Sequence, residues 1–430
     1  MNDFKNKKIA IIGEGLEGLS SAKYLKEHGA KVTILDKKQG EDYLDGLEKY
    51  DLIVRSPGVK PQLLEKYKNV TSQTKLFFDL CPARIIGITG TKGKGTTSSL
   101  IYEMLKKQGF DSYLGGNIGV PPFDFLDKLN VHSIVVLEVS SFQLLDLDKS
   151  PNIAVLLMTT SEHLDYHKDI NEYIDAKRNI LRFQKEEDSA VINKDYLASR
   201  ESDVETNGQI YYVTSIDKAQ RGCFVKENAV WIRNKDLEEK VINTNDILIP
   251  GEHNWENACA SAMAANLAGV QIHNIAQVLK TFKGLEHRLE LVASINGVKY
   301  YDDSFSTAPE TAIAAINAFK NPEILILGGS SKSSDFKLLG EAISKAKNIK
   351  AIIGIGAEWQ RIKAQLRIHN SELIITEGAD SMEKVVLAAY KIAAPGDVVL
   401  LTPACASFDM FRNYKDRGEQ FKQQVLKLKS

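Results

Sequence analysis

Two glycine-rich loops, each set between a short apolar run and a helical pattern, constrain this chain more than any other feature. The first is Gly13-Glu14-Gly15-Leu16-Glu17-Gly18, after Lys8–Ile12, with Asp36 closing the next apolar run. Its glycines permit a tight turn, and the helix behind it offers N-terminal N–H groups to a phosphate. An acid about 20 residues further on completes the dinucleotide-type fingerprint, so a nucleotide-type ligand is expected here. The second loop, Gly90-Thr91-Lys92-Gly93-Lys94-Gly95-Thr96-Thr97, lies between Arg84–Ile88 and a helix from Ser98. Backbone N–H groups of such a loop cradle phosphates, Lys94 would reach the β/γ-phosphates, and a threonine hydroxyl would meet Mg²⁺. Strict phosphate-loop spacing is broken twice. Ile88 stands where the first glycine belongs, and Gly95 stands where Ser or Thr follows the lysine. Thr96 is therefore the expected hydroxyl, with Thr91 or water as the alternative. Three glycines, a lysine and two threonines at a strand–helix turn still point to ATP or a close analogue. A dehydrogenase would leave the second loop idle and a kinase the first. An ATP-dependent enzyme acting on a nucleotide-linked substrate uses both.

The rest of the chain alternates short apolar strands with amphipathic helices. Lys31–Leu35, Leu52–Val54, Ser133–Val139, Ile153–Met158, Ile324–Leu327, Ala351–Ile355 and Asp397–Leu401 read as strands covered on both faces, and Ser98–Gln108, Asn257–Ala268, Glu310–Ala318 and Met382–Ala393 as helices. Continuous apolar strands of this kind suit parallel sheets, so the fold class is α/β. Only about Gly208–Ile249 breaks the rhythm. Its pieces Gln209–Val213, Ala229–Ile232 and Asp246–Ile249 read as antiparallel hairpins. The lysine-rich tail after Gly418 reads as a solvated helix. At 430 residues the chain has room for about three domains. Breaks near Leu80–Ala83 and Gly284–His287 predict domains at 1–82, 83–284 and 285–430.

Composition removes other classes. A formal net charge of −1 gives no electrostatic case for nucleic acid or an anionic membrane. No apolar run approaches the roughly 18–20 residues of a membrane span. The polar start Met1–Lys8 runs straight into Ile9–Ile12 and predicts no signal segment. Four scattered cysteines form no CxxC pair, so a reducing cytoplasm is the expected compartment.

Further motifs complete a pattern. Ser56-Pro57-Gly58, Gly116-Asn117-Ile118-Gly119, Glu138-Val139-Ser140-Ser141-Phe142-Gln143-Leu144, Gly251-Glu252-His253-Asn254 with Asn257, His287-Arg288-Leu289-Glu290, Asp303-Ser304 and Pro403-Ala404-Cys405-Ala406-Ser407-Phe408-Asp409 stand in order along the chain. Together with the two loops, the sequence resembles the Mur ligases from Gly13 to Phe421. The Ser-Ser-Phe-Gln and Pro-Ala-Cys-Ala-Ser runs resemble the branch that adds D-glutamate to UDP-N-acetylmuramoyl-L-alanine. The resemblance implies a Rossmann-like N-terminal domain for UDP, a central ATPase domain, and a Rossmann-like C-terminal domain that receives the amino acid. It also implies an acyl-phosphate intermediate in cytoplasmic peptidoglycan precursor synthesis, two Mg²⁺ ions and a lysine carbamate formed with CO₂; a monomer is the expected state.

Glu138 is the best metal-ligand candidate in the sequence, since it ends a strand where α/β sheets place their ligands. His163 also follows a strand, and the resemblance puts it at the second metal and near the nucleotide substrate. Lys177 is similar to the carbamylated lysine, although Asp175-Ala176-Lys177-Arg178 by itself reads as helix surface. Asn254 and Asn257, three apart, share one helix face, which the resemblance places near adenine. Arg288 and Asp303 resemble the pair on the ATP phosphates and ribose. Gly15, Leu16, Glu17, Asp36, Lys37, Ser56, Pro57, Gly58, Asn117, Ser140 and Gln143 are implied on the UDP substrate, and Thr307, Lys332, Ser407 and Tyr414 on the amino acid. One departure stands out. The family's Asp-Ser-Lys-Ala-Thr-Asn is here Asp303-Ser304-Phe305-Ser306-Thr307-Ala308, which loses a cation and an amide near the amino-acid site. A relative adding L-glutamate or another amino acid is the nearest alternative. An NAD-dependent oxidoreductase is a more distant one, and it leaves Lys94, Glu138 and Lys177 without work.

Overall fold

The computed structural model describes residues 4–160, 166–234, 237–331, 334–366 and 373–429. The chain divides into two compact units, one running to Ile247 and taking in Trp255–Lys280, the other Leu248–Asn254 with Thr281 onward. The first unit holds two sheets and the second holds one.

The N-terminal sheet has four parallel strands in the order Lys31–Leu35, Lys8–Ile12, Leu52–Arg55, Val70–Ser72. Ile9, Ala10, Ile11 and Ile12 are all buried, as a strand covered on both faces requires. The helix Leu16–Glu27 opens directly behind the first glycine loop. Ser72 caps the helix Gln73–Leu80 by accepting from the Lys75 N–H at 3.2 Å, which satisfies one of its orphan donors.

The central sheet has nine strands, ordered Leu237–Asn243, Ala229–Asn234, Gly222–Lys226, Gln209–Thr214, Ser189–Asn193, Ile153–Leu156, Arg84–Thr89, Ile134–Glu138, Ser112–Gly116. From Gly222–Lys226 onward all neighbours are parallel, and only the first three strands pair antiparallel. Two expectations are corrected here. Gln209–Thr214 lies inside the parallel ladder between Ser189–Asn193 and Gly222–Lys226, and Asp246–Ile249 is not a strand. Alternation along a segment reports which face is covered, not which way its neighbours run. The strand Arg84–Thr89 lies between Ile134–Glu138 and Ile153–Leu156. The chain leaves it first to one side and then returns to the other. Open α/β sheets bind ligands at such a reversal, at the carboxyl ends of the strands, and the second glycine loop begins there.

In the second unit the order is Glu290–Ile295, Val298–Asp302, Val398–Leu401, Glu323–Gly328, Ile349–Ile355, Ile374–Thr376, parallel except for the first hairpin. Asn413 caps the helix Tyr414–Lys427, accepting from the Asp416 N–H at 3.0 Å. The tail after Gly418 is not wholly solvated. Phe421 and Val425, one turn apart, are buried in this unit's core, worth about 1.5–3 kcal/mol each.

Candidate active site

The loop after Arg84–Thr89 is organised from three sides. Gly93 takes φ +86° at the head of the helix Lys94–Gln108, and a Cβ there would lie 2.3 Å from Asn257 Oδ1. That close approach demands glycine. Asn257 Oδ1 in turn accepts from the Thr97 hydroxyl at 3.3 Å, so the asparagine is tied to the loop's helix. Lys94 Nζ donates to the carbonyls of Gly90 and Thr91, each at 3.0 Å. The Thr91 hydroxyl is engaged within the protein. It meets Tyr173 Oη at 3.0 Å and accepts from the Thr160 N–H at 3.0 Å. Thr96, half-buried on the first helical turn, is the remaining candidate. Lys92 is exposed, and Gly95 is buried within the first turn of the helix.

Lys177 is the largest correction to the sequence reading. It is 2% exposed, with Nζ donating to the Gly90 carbonyl at 2.9 Å and lying 4.6 Å from the Tyr173 ring centre. The helix Ile170–Arg182, capped by Asp169, buries Tyr173, Ala176, Lys177, Ile180 and Leu181. That i, i+3, i+4, i+7 spacing was the available signal, since it sets Lys177 on the apolar face. Glu138 is buried at the end of its strand, with Ile88 opposite it on one side and Gly116 on the other. The Asn117 N–H donates to the Glu138 carbonyl at 3.1 Å. Gly116, at φ +96°, passes so close that a Cβ would lie 2.1 Å from that carbonyl oxygen.

The first glycine loop is held by Asp36, whose carboxylate accepts from the backbone N–H of Glu14 at 2.8 Å and of Lys38 at 3.1 Å. Those two N–H groups hold it below the usual carboxylate range. Gly15, Leu16 and Lys37 are exposed around it. Ser56 is buried beneath Gly13, its hydroxyl 3.4 Å from the Gly13 carbonyl. Ser140 and Gln143 form a capping box, with the Ser140 N–H donating to Gln143 Oε1 at 2.8 Å. Gln143 Nε2 then donates to Glu17 Oε1 at 2.8 Å, joining the predicted substrate residues of the two sheets. Burial pushes the Glu17 carboxyl up to about 7, against the Gln143 hydrogen bond.

Sequence reasoning passed over Arg55. Its side chain is fully buried and forks onto Asp146, Nε to Oδ2 at 3.1 Å and Nη2 to Oδ1 at 2.8 Å. Nη1 donates to the Val59 carbonyl at 2.7 Å and reaches the Pro57 carbonyl at 3.4 Å. Tyr166 Oη donates to the same Pro57 carbonyl at 2.9 Å. The Ser56-Pro57-Gly58 turn is therefore held by the adjacent Arg55, itself anchored on the distant Asp146, and by the distant Tyr166. An arginine ending the apolar run Leu52–Val54 was the only local hint.

In the second unit Asp302 and Asp303 divide the work. His287 Nδ1 lies 2.7 Å from Asp302 Oδ2, and the Ser304 N–H donates to Asp302 Oδ1 at 2.9 Å. Asp303 accepts from the Leu289 N–H at 3.2 Å, the Thr402 hydroxyl at 3.0 Å and the Ser306 hydroxyl. Burial pushes its carboxyl up to about 7 despite these donors. Arg417, fully buried, donates through Nε to Ser304 Oγ at 2.9 Å and through Nη2 to the carbonyls of Ser304 at 2.9 Å and Cys405 at 3.2 Å. It thereby joins the Asp303-Ser304 turn to the Pro403–Ser407 run. Ser407 is buried there, and the Tyr414 carbonyl accepts from the Ser304 hydroxyl at 2.8 Å. The Thr307 N–H donates to the Phe305 carbonyl at 2.8 Å. Asn254 Nδ2 donates to the Pro250 carbonyl at 2.6 Å. His163 and Lys332 lie outside the described residues. No described helix is long and apolar enough to cross a membrane.

Known proteins resemble this chain over nearly its whole length. Residues 88–265 match the Mur ligase middle domain, and residues 287–405 match the Mur ligase glutamate ligase domain. The UDP-N-acetylmuramoylalanine–D-glutamate ligase of Acetivibrio thermocellus is 40% identical, covering 99% of this chain and 98% of its own. That of Ruminiclostridium cellulolyticum is 36% identical with the same coverage. Among solved structures, the UDP-N-acetylmuramate-alanine ligase of Thermotoga maritima superposes with a TM-score of 0.63 at 17% identity, over 98% of this chain and 100% of its own. A second Mur ligase of that organism, solved with ADP, gives 0.60 at 17% identity, over 99% of this chain and 96% of its own.

Proposed function

This chain belongs to the Mur ligase family, and on that footing we propose that it joins D-glutamate to UDP-N-acetylmuramoyl-L-alanine, cleaving ATP to ADP and phosphate, in peptidoglycan precursor synthesis. The observation that carries this reading is the end-to-end identity with D-glutamate ligases. It spans both glycine loops and the acceptor-side motifs. Phe305 and Ala308 therefore do not redirect the assignment.

The chemistry has two steps. A carboxylate oxygen of the alanyl group attacks the γ-phosphorus of ATP, ADP leaves, and an acyl phosphate forms. The glutamate amine then attacks the acyl carbon, the C–N bond forms, the amine loses a proton and phosphate departs. The first step brings two anions together, so cations and N–H donors must gather around them. In this reading Lys94 and the N–H groups of Gly93–Thr96 hold the β/γ-phosphates. Lys94 would exchange its two loop carbonyls for phosphate oxygens. Arg288 is the further cation that the family resemblance assigns to the ATP phosphates. Glu17, Gln143, Ser140, Ser56 and Asn117 line the nucleotide-sugar side, while Thr307, Lys332, Ser407 and Tyr414 take the amino acid.

The donors beside the phosphate loop are oxygens, the Glu138 carboxylate at a strand end and the Thr96 hydroxyl, and this set suits Mg²⁺. Lys177 is the residue that would take up CO₂ as a carbamate, converting a buried amine at the Gly90 carbonyl into a further oxygen donor. When bound, Mg²⁺ supplies the positive charge that lets carboxylate and triphosphate approach. The test is phosphate release with ATP, UDP-N-acetylmuramoyl-L-alanine and a panel of amino acids. Release dependent on D-glutamate and on the nucleotide sugar is expected. Faster turnover with L-glutamate under the same conditions would replace this acceptor with its enantiomer.

A further inference from the structure

At position 305 the family's lysine is replaced by an aromatic ring, and the structure places a cation on that ring. The Arg288 guanidinium carbon lies 3.8 Å from the centre of the Phe305 ring. The same ring meets Tyr414 edge-on, with centres 5.1 Å apart and planes at 88°. The backbone beneath it is held from both directions. The Phe305 N–H donates to the His287 carbonyl at 2.9 Å, and neighbouring Ser304 is held by Arg417 and Tyr414. Although 37% exposed, Phe305 therefore has its ring plane set by a rigid turn. Arginine is long and rotamer-rich, and a face-on aromatic shelf restricts it before any ligand arrives. A lysine at 305 would set a second positive charge against the guanidinium, whereas the ring attracts it.

We propose that Phe305 is a positioning residue that holds Arg288 in place for the ATP phosphates. The proposal rests on the reading of Arg288 as a phosphate contact, and the experiment separates the two. Full-length protein is assayed at saturating nucleotide sugar and D-glutamate with ATP varied. Phe305→Leu should raise KM for ATP about fivefold, from the lost cation–π attraction, and leave KM for the nucleotide sugar within about twofold. Phe305→Met, a second apolar replacement, should behave like leucine. Phe305→Tyr keeps a ring face and should restore KM for ATP, which a purely space-filling role would not require. Arg288→Ala should raise KM for ATP further, and adding Phe305→Leu to it should have no additional effect. If Arg288→Ala leaves KM for ATP unchanged, the phosphate role of Arg288 is wrong. If Arg288→Ala raises it while Phe305→Leu does not, or if the two effects simply multiply, the positioning role of Phe305 is overturned.

Discussion

Lys177 Nζ donates to the carbonyl of Gly90 at 2.9 Å, tying the middle of the helix Ile170–Arg182 to the first glycine of the phosphate loop. Lys177→Met keeps the buried stem and removes the bond. The net worth of such a hydrogen bond is about 0.5–1.5 kcal/mol, so stability should fall by about that amount. Activity should drop by more than about 100-fold if Lys177 is also the carbamate, whose loss removes transition-state charge stabilisation. Stripping dissolved CO₂ should lower wild-type activity and bicarbonate should restore it. Full activity with unmodified lysine in a native mass spectrum would exclude the carbamate.

Lys94 and the first glycine loop belong to different sheets, so their ligands should separate genetically. Lys94→Ala should abolish turnover, by roughly 10³-fold or more for a cation on the reacting phosphates. Its affinity for UDP-N-acetylmuramoyl-L-alanine, measured by calorimetry, should match wild type. Loss of both would mean that the two sites are not independent.

Asp146 is the only side-chain carboxylate that meets the buried Arg55 guanidinium among the described residues. Asp146→Ala leaves that charge buried with no carboxylate beside it among the described residues. Breaking such a pair costs about 3–5 kcal/mol when both partners are buried, and Asp146 is partly solvated, so about 3 kcal/mol is expected. The same change loosens the Ser56-Pro57-Gly58 turn, so KM for the nucleotide sugar should rise while KM for D-glutamate stays. Urea titration and steady-state kinetics check the two effects.

Glu323 begins a strand of the second unit and is fully buried. Asn348 Nδ2 donates to its Oε1 at 2.8 Å, and its Oε2 has no hydrogen-bond partner among the described residues. Burial pushes this carboxyl from 4.5 up to about 8. The folded protein therefore keeps a proton that the unfolded chain releases, so this group favours folding fully below pH 4.5 and progressively less up to about 8. The limiting slope is about 1.4 kcal/mol per pH unit. Glu323→Gln should flatten the decline of stability between pH 5 and 8, and denaturant midpoints at both ends of that range would test it. An unchanged slope would mean that Glu323 ionises normally in the folded state.

Much of the fold could be read along the chain because its cause is local. Apolar runs such as Ile9–Ile12 and Val135–Leu137 mark strands covered on both faces, and both glycine loops sit at strand–helix turns as their spacing requires. The loop residues and Glu138 were legible for the same reason, since a strand's carboxyl end is where α/β sheets bind ligands. What tertiary structure alone decided is which distant groups meet. Periodicity marked one buried face of Gln209–Thr214 but not the parallel direction of its neighbours. Arg55 and Asp146 are 91 residues apart, and nothing near either one announces the other. Arg288 finds the Phe305 ring only because the hairpin and the turn after Asp302 bring them together. Local propensity sets what each segment can become. The partners of a buried charge are selected by packing across the whole unit, because an unpaired charge there costs several kcal/mol and the rest of the fold must supply its counterpart.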